Sequence, residues 1–298
     1  MKNNFDLQLF VERAPFNVAG DFEPAISIDH ANRIASNIKE LQEVLGITEM
    51  QAMNAGTTIK LWRMEQVNTP EQVGEGEEIG ITRVERVPAG SVELVLKKYR
   101  RNTTAEAIQK VGRNMAINQS DEKLVSGIQK EIKKQFYDLL AEGRGSALAE
   151  ATLQATLANA WGAIKKFYED QDATPIYFVS SEDVAEYLGT AQVSMQTAFG
   201  MSYIKDFLGL GTVVVSPALE KGKLYATAKE NLNGAYIPAN SGDVANTFNL
   251  TADSTGLVGI AHYPVSGNAT IDTLAMSGVV FYPEMIDGVI VATIGQPA

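Results

Sequence analysis

Residues 57–103, TTIKLWRMEQVNTPEQVGEGEEIGITRVERVPAGSVELVLKKYRRNT, decide how the rest of the chain is interpreted. The segment opens with a strand-like run at 58–65, whose residue types suit a pleated, half-covered surface. It reverses at the Gly- and Pro-containing stretch 68–78 and returns through 79–99, with a turn at 88–90. The pattern predicts a long β-hairpin.

A hairpin of this kind needs a surface to lie on. A two-stranded ribbon is at best marginally stable alone in water. Its apolar residues alternate but are too few to form a core, and charged residues occupy both strands and the tip. The chain itself could supply the missing surface. The length of the ribbon and its acidic tip favour a neighbouring copy instead.

The charges of the segment are separated by sign. The acidic tip carries Glu75, Glu77 and Glu78, and the opposite end carries a basic group, Lys97, Lys98, Arg100 and Arg101. The basic group is typical either of a solvated hairpin base that pairs with acids or of a nucleic-acid contact, and we favour the first. Copies arranged head to tail in a ring could pair one sign with the other.

Composition limits the possible functions. A chain of 298 residues with 45% apolar and 20% charged residues is long enough to bury a substantial core in one or two domains. A net charge of −11 disfavours a nucleic-acid coat bound through phosphate neutralisation. The absence of Cys excludes disulfides, thiolate metal sites and a Cys nucleophile. Residues 1–10 make a poor signal peptide, and no apolar run approaches the roughly 20 residues of a membrane span, so we expect a soluble protein, intracellular at synthesis.

Helical periodicity marks the first half of the chain outside the hairpin. Residues 1–28 are apolar without periodicity, which fits either a strand and loop packed on the chain's own body or an arm that docks on a neighbour. The strongest helical pattern, Asp121–Glu142, would span roughly 33 Å, and Asp121 and Glu122 favour the N-terminal end of its dipole. Its apolar residues form one stripe: Leu124, Val125, Ile128, Ile132, Phe136, Leu139 and Leu140. Four other helices are predicted. The first is capped by Asp29 and has the inner residues Ile34, Ile38, Leu41 and Leu45, and a short second one follows at 48–56. The third begins at the capping box Thr103–Glu106 with Ile108, Val111 and Met115 on one face, and the fourth has Leu153, Leu157, Trp161, Ile164 and Tyr168 on one face.

Strand patterns dominate the second half. A buried strand at 174–179 leads into a Ser-capped helix at 181–184, and a short helix is predicted at 203–208. Further strands are predicted at 212–215, 224–228, 235–237, 256–263 and, interrupted at 283–284, 269–294. Helices alternating with buried strands between 147 and 264 indicate an α+β or α/β layer.

Recognisable catalytic motifs are missing. His30 and His262, the two histidines, are typical of structural or surface positions, and no Gly-x-Ser-x-Gly elbow or metal-ligand spacing is present. Gly74–Gly80 resembles a dinucleotide loop only loosely, because its third glycine is late and its glutamates would repel a pyrophosphate. The sequence therefore predicts no catalytic, cofactor-binding or metal-binding residues. A hydrolase with unmarked carboxylates is the enzymatic alternative.

The order of these elements resembles the major capsid (head) proteins of tailed double-stranded DNA bacteriophages, which have the α+β Hong Kong 97-type fold. The start Phe5–Phe10 looks like that of such proteins, the hairpin corresponds to their extended loop, and Asp121–Glu142 corresponds to their spine helix. Axial-domain strands are suggested by Ile176–Ser180, Gly211–Ser216, Tyr225–Thr227 and Glu230–Leu232, and the last peripheral-domain strands by Gly278–Glu284 and Asp287–Ile290.

The resemblance implies a division of the chain into five parts. These are an N-terminal arm with leading helices at 1–56, the extended loop at 57–103, a peripheral domain with the spine helix at 104–146, an axial domain at 147–264, and C-terminal strands of the peripheral domain at 265–298.

The resemblance also implies a structural role in a virion. Copies would assemble in the host bacterial cytoplasm into hexamers and pentamers of an icosahedral shell, with a portal protein at one vertex, a separate scaffolding protein, and packaged DNA held by non-specific contact only. No membrane, cofactor or enzymatic activity is expected. No Lys–Asn cross-link is expected either, because no local pattern marks partners for Lys60. The expected inter-subunit contact residues are Trp62, Arg63, Glu75, Glu77, Glu78, Arg83, Arg86, Lys97, Lys98, Arg100 and Arg101.

An encapsulin, a bacterial compartment with the same fold that encloses an enzyme, is the nearest alternative. Encapsulins usually carry a hydrophobic pocket for a cargo peptide behind an N-terminal helix, and the extended arm expected here fits a phage head better.

Overall fold

The computed structural model describes residues 38, 41–47, 50–66, 84–147, 149–169, 172–189, 195–198, 201–239, 242–252 and 256–295. The helices are α1 (residues 41–45), α2 (Ala105–Val111), α3 (Arg113–Ala141), α4 (Leu153–Phe167), α5 (Ser181–Leu188) and α6 (Gly242–Thr247). The strands are β1 (Met50–Ala52), β2 (Thr58–Gln66), β3 (Val84–Glu93), β4 (Lys97–Thr104), β5 (Gly145–Ser146), β6 (Pro175–Ser180), β7 (Gln196–Ala198), β8 (Met201–Ile204), β9 (Thr212–Ser216), β10 (Lys223–Ala228), β11 (Leu232–Tyr236), β12 (Thr251–Ala252), β13 (Val258–Val265), β14 (Thr270–Ser277), β15 (Val279–Pro283) and β16 (Ile290–Thr293).

The described strands form four sheets. A mixed seven-stranded sheet has the order β5-β16-β10-β6-β9-β8-β7, and an antiparallel four-stranded sheet has the order β12-β13-β14-β4. A three-stranded sheet, β1-β11-β15, and the ribbon β2-β3 complete the set. The architecture is α+β, as the sequence predicts.

The seven-stranded sheet lies between two helices. In β6, Ile176 and Phe178 belong to the apolar cluster of α3, whereas Tyr177 and Val179 belong to the cluster of α4. Side chains alternate between the two faces of a strand, so this alternation shows that each face of the sheet is covered. A strand buried on both faces reads as the continuous apolar run that the sequence shows here.

The long helix α3 joins the seven-stranded sheet to the three-stranded sheet. The Phe136 ring of α3 meets Phe178 of β6 edge-on, with ring centroids 5.3 Å apart, and Phe281 of β15 at 6.4 Å. Edge-to-face pairs at such distances stabilise a core beyond the area that they bury. The prediction that this helix has an inner apolar stripe is confirmed, because six of the residues in the stripe are buried: Leu124, Ile128, Ile132, Phe136, Leu139 and Leu140.

The start of α3 differs from the prediction. The helix begins at Arg113 and not at Asp121, because Gly112 with φ 85° breaks the chain between α2 and α3. The cap of α2 is Thr104, one residue after the Thr103 that the capping box indicates, and its hydroxyl accepts from the Ala107 N–H. The expected inner face of that region is wrong, since Val111 and Met115 are exposed.

Three other local predictions are wrong. Residues 50–52, predicted as part of a helix, form β1, which pairs in parallel with β11. Residues 201–204, which include the start of the helix predicted at 203–208, form β8, and only a 3-10 turn follows at Phe207–Gly209. Trp161, predicted on the inner face of α4, is exposed, and Ala160 occupies the buried position beside it.

The predicted domain boundaries cut across shared sheets. β16, from the segment 265–298, pairs with β10 inside the seven-stranded sheet, and β13, from the segment 147–264, pairs with β14. The five-part division of the chain stays a proposal. The arm at 1–28 and His30 lie outside the described residues.

Gly143 and Gly145, which follow α3, let the backbone pass close to Val289, and we expect this contact to be sensitive to mutation. A Cβ on Gly143 would lie 2.6 Å from Cγ1 and 2.8 Å from the carbonyl oxygen of Val289. We predict that Gly143→Ala lowers the free energy of unfolding by about 1–3 kcal/mol, because the clash includes backbone that cannot move aside. As a matched control, Gly162→Ala in the exposed part of α4 meets nothing within 4 Å and should raise stability by about 0.5–1 kcal/mol. Urea unfolding of both variants checks this, and equal midpoints would contradict it.

Candidate inter-subunit surfaces

The inner end of the hairpin is anchored in its own chain. Ile59 and Leu61 of β2, together with Val92 of β3, are buried in an apolar cluster that includes Val280 and Ile286. For this end of the ribbon the chain itself supplies the covering surface, and the neighbouring copy that the sequence analysis favoured is not needed there. These contacts fix the base of the ribbon to the rest of the chain.

A β-bulge shapes the hairpin where a turn was predicted. Leu61 pairs with Gly90 and Trp62 pairs with Pro88, so Ala89 is the extra residue of β3. The residues 88–90 continue the strand because Pro88 needs no ladder hydrogen bond and a bulge accommodates the additional residue. The ribbon also ends earlier than predicted, since Lys97–Thr104 leaves it and joins the four-stranded sheet as β4.

Trp62 is held by its own chain at the point where the ribbon leaves the body. Its N–H donates to the Glu284 carbonyl at 2.8 Å, and its carbonyl accepts from the Ile286 N–H at 3.1 Å. The Arg86 guanidinium lies over its indole ring at 5.2 Å from the centroid and also pairs with the Glu284 carboxylate. A cation over an indole face is attracted by the ring quadrupole. The ring remains half-buried and can still meet another surface.

The remaining predicted contact residues divide into three groups. Arg63 pairs with Glu65 on the same strand and is half-exposed. Glu75, Glu77, Glu78 and Arg83 lie outside the described residues. Lys97, Lys98, Arg100 and Arg101 all lie on β4.

Two of the four basic residues of β4 are already paired within the chain. Lys97 Nζ lies 2.8 Å from a carboxylate oxygen of Glu131 on α3, and Arg100 pairs with Asp272 on β14. These contacts agree with the solvated, acid-paired interpretation for half of the cluster. Lys98 and Arg101 are exposed.

The side of β4 that carries Lys97 also carries Tyr99, and both residues contact Glu131 on the helix α3. The Tyr99 hydroxyl donates to Glu131 at 2.7 Å, and the pKa of Tyr99 is raised, first by burial and then by that bond. The pKa of Glu131 is lowered, mainly by its bond with Lys97. The odd-numbered side chains of β4 thus point to α3, whereas Arg100 and Asn102 point away from it and bind Asp272.

A buried polar pair, which the sequence analysis did not find, joins α3 to the four-stranded sheet. His262 Nε2 of β13 lies 2.7 Å from Asp121 Oδ2 of α3, and each side chain is 1% exposed. Asp121 therefore does not act at a helix N-terminus, as predicted, but inside the helix. The structural role expected for His262 agrees with this position.

The described residues carry no recognisable metal centre. Nowhere among them do three or more His, Asp or Glu side chains come together as metal ligands would. None of the helices in this part of the chain combines the length and the apolar character that crossing a lipid bilayer requires.

Comparison with known proteins identifies the fold. No protein-family profile matches the sequence, and no curated protein matches it. Solved structures do match. The capsid of an empty GTA particle aligns with a TM-score of 0.54 at 7% identity, over 86% of this chain and 90% of that one. The capsid of cyanophage A-1(L) gives 0.52 at 12% identity, over 86% and 93%.

An encapsulin matches to a similar degree. The SrpI encapsulin complex from Synechococcus elongatus PCC 7942 aligns with a TM-score of 0.51 at 12% identity, over 85% of this chain and 86% of that one. The chain therefore has the α+β Hong Kong 97-type fold of capsid shells.

Proposed function

We propose that this chain is the major capsid protein of a tailed double-stranded DNA bacteriophage. It would assemble into hexamers and pentamers of an icosahedral shell that encloses the genome, with a portal protein at one vertex and a separate scaffolding protein. The observation that carries the proposal is the shell fold together with a ribbon that is braced at its base and extends beyond it into an acidic segment.

The charge of the chain suits such a container. A net charge of −11 leaves few surfaces that would bind phosphates tightly, so DNA could be packed densely without adhering to the wall. Assembly would depend on many weak contacts, since an interface of about 1,600 Å² can be only micromolar by itself. Repetition over many copies would then make the shell persistent.

The proposal is tested by particle formation. The expressed chain, alone or with the scaffolding protein of its genome, should elute as capsomers or MDa-scale particles and show closed shells by negative-stain microscopy. A compact monomer or dimer that never assembles would overturn the proposal and favour the acidic hydrolase.

An encapsulin-type shell is the second candidate, because the Synechococcus encapsulin matches nearly as well as the phage capsid. The contents of particles isolated from producing cells separate the two. Nuclease-protected DNA of genome length supports the phage head, whereas an enclosed folded enzyme supports the compartment.

Trp62 offers a probe of docking at the ribbon. In a Trp161→Phe variant, Trp62 is the remaining tryptophan, and we expect its emission to shift on assembly because its half-buried ring meets a neighbouring copy. Arg86→Ala should shift the emission already in the unassembled chain, since the stacked guanidinium is lost. Identical spectra before and after assembly would contradict a contact at this residue.

A further inference from the structure

A three-residue segment, Glu284–Ile286, lies between the base of the ribbon and the body of the chain. On the ribbon side it forms a parallel bridge with Trp62, whose N–H donates to the Glu284 carbonyl and whose carbonyl accepts from the Ile286 N–H. On the other side it meets Asn231, which ends the 3-10 turn between β10 and β11. A shift of this segment would therefore shift the attachment of the ribbon.

The side chain of Asn231 binds the middle residue of the segment by both of its main-chain groups. Its Oδ1 accepts from the Met285 N–H at 2.7 Å, and its Nδ2 donates to the Met285 carbonyl at 2.9 Å. These bonds fix the orientation of the amide, because a main-chain N–H can only donate and a carbonyl can only accept. The Glu284 N–H also donates to the Asn231 carbonyl, at 2.8 Å. One side chain thus takes the place that a neighbouring strand would occupy.

Asn231 is itself held by the seven-stranded sheet. Only 2% of the residue is exposed, and its Nδ2 also donates to Thr227 Oγ1 of β10 at 3.0 Å. The Thr227 hydroxyl donates in turn to the Gly288 carbonyl at 2.8 Å. A buried polar network in which the donors and acceptors are paired favours a single arrangement of its members.

The ribbon can bend next to this network. The bulge of β3 lies opposite Leu61 and Trp62, and a bulge disrupts the ladder and bends its strand. At about 3.3 Å per residue Gln66 lies about 13 Å beyond Trp62, so a tilt of about 10° would displace it by about 2 Å. The cores of protein interfaces are packed as densely as protein interiors, so a displacement of this size would misplace a contact between copies.

We propose that Asn231 is the positioning residue of the ribbon: by holding Met285, it sets the angle at which the ribbon leaves the body and thereby controls whether copies can assemble. The ion pair between Arg86 and Glu284 attaches to the same segment and follows it. The apolar base of the ribbon lies before the bulge, so it does not fix the direction beyond it. The inference rests on the proposed function, because it gives Asn231 a role in assembly.

Spin labels on the unassembled chain measure this angle, and the chain contains no cysteine that would interfere with labelling. One label is attached to the ribbon through Glu65→Cys and one beside the seven-stranded sheet through Glu220→Cys, where the side chains are 45% and 75% exposed. In Asn231→Ala the distribution of label distances should widen roughly twofold, because Met285 loses both side-chain bonds. An unchanged width in a chain with a native circular dichroism spectrum would overturn the proposal.

Thr227→Val is the matched control. It removes a hydroxyl from the same buried network and lowers stability, but it leaves both bonds between Asn231 and Met285 in place. We expect the distance distribution to keep the width of the unsubstituted chain. Equal widening in both variants would trace the effect to a general loosening of the core and would overturn the proposal.

Hydrogen exchange of the unsubstituted chain decides the question even if Asn231→Ala does not fold. After correction for intrinsic rates, the amides of Trp62, Met285 and Ile286 should exchange within roughly threefold of one another, because one opening releases all three. Rates for Met285 and Trp62 that differ by more than about tenfold would show two independent contacts and would overturn the proposal.

Particle yield connects the angle to assembly. Asn231→Ala should lower the yield of closed shells roughly tenfold, and Thr227→Val by less than about twofold. A normal yield from Asn231→Ala would overturn the role in assembly. If the unsubstituted chain never forms capsomers or shells, the proposed function fails, whereas the label distances and exchange rates still decide whether Asn231 holds the ribbon.

Discussion

His262→Ala should destabilise the unassembled chain by about 2–4 kcal/mol, because it removes a buried side-chain hydrogen bond and leaves a cavity in its place. Asp121 and His262 are both almost fully buried, and their side chains meet across 2.7 Å between α3 and β13. Removing the imidazole deletes its hydrogen bond to Asp121 and leaves a cavity beside that side chain. Because a domain is stable by only about 5–15 kcal/mol in total, a loss of this size would be prominent in any unfolding experiment.

The measurement is the midpoint of urea unfolding, followed by circular dichroism on protein that has not assembled. His262→Gln is the matched control, since its amide nitrogen can take the place of Nε2 and donate to Asp121 Oδ2. We expect this variant to retain most of the stability. If the alanine and glutamine variants unfold at the same midpoint, the buried pair does not stabilise the fold in the way described.

Deletion of Asn68–Glu78 should abolish closed shells and leave the fold intact. The base of the ribbon is buried through Ile59, Leu61, Val92 and Leu94, so the folded body does not depend on the deleted residues. Assembly would depend on them, because the deletion removes the acidic segment that the proposed function expects to contact a neighbouring copy. The expected result is a chain with an unchanged unfolding midpoint that produces no particles by negative-stain microscopy.

A companion variant separates the length of the segment from its chemistry. Replacing the same eleven residues by Gly and Ser restores the length without the charges, and we expect it to fail in assembly as well. Normal particles from the deletion would refute a role for the segment. Particles from the Gly/Ser variant alone would show that reach matters and charge does not.

Much of the fold could be predicted from the sequence because its signals are local. The stripe of α3 and the continuous apolar run of β6 each depend on residues that follow one another within a single element. The errors fall where distant residues decide. Residues 48–51 have the spacing of a capping box, yet residues 50–52 form β1, because β11, far along the chain, offers them a strand edge.

The candidate contact surface was predicted less well, for the same reason. Lys97 and Arg100 looked available in the sequence, but Glu131 and Asp272 reach them only in the folded chain. No pattern in the sequence links His262 to Asp121, 141 residues away.

The position of β16 has a consequence for biosynthesis. This strand lies between β5, at the edge of the seven-stranded sheet, and β10, so β5 joins the sheet only after residues 290–293 have been made. A nascent chain halted before that point would expose the unpaired backbone edge of β10 and would leave β5 without its partner strand. Ribosomal products that stop short would thus be recognisable to chaperones and proteases, and a growing particle would incorporate only molecules whose translation had passed residue 293.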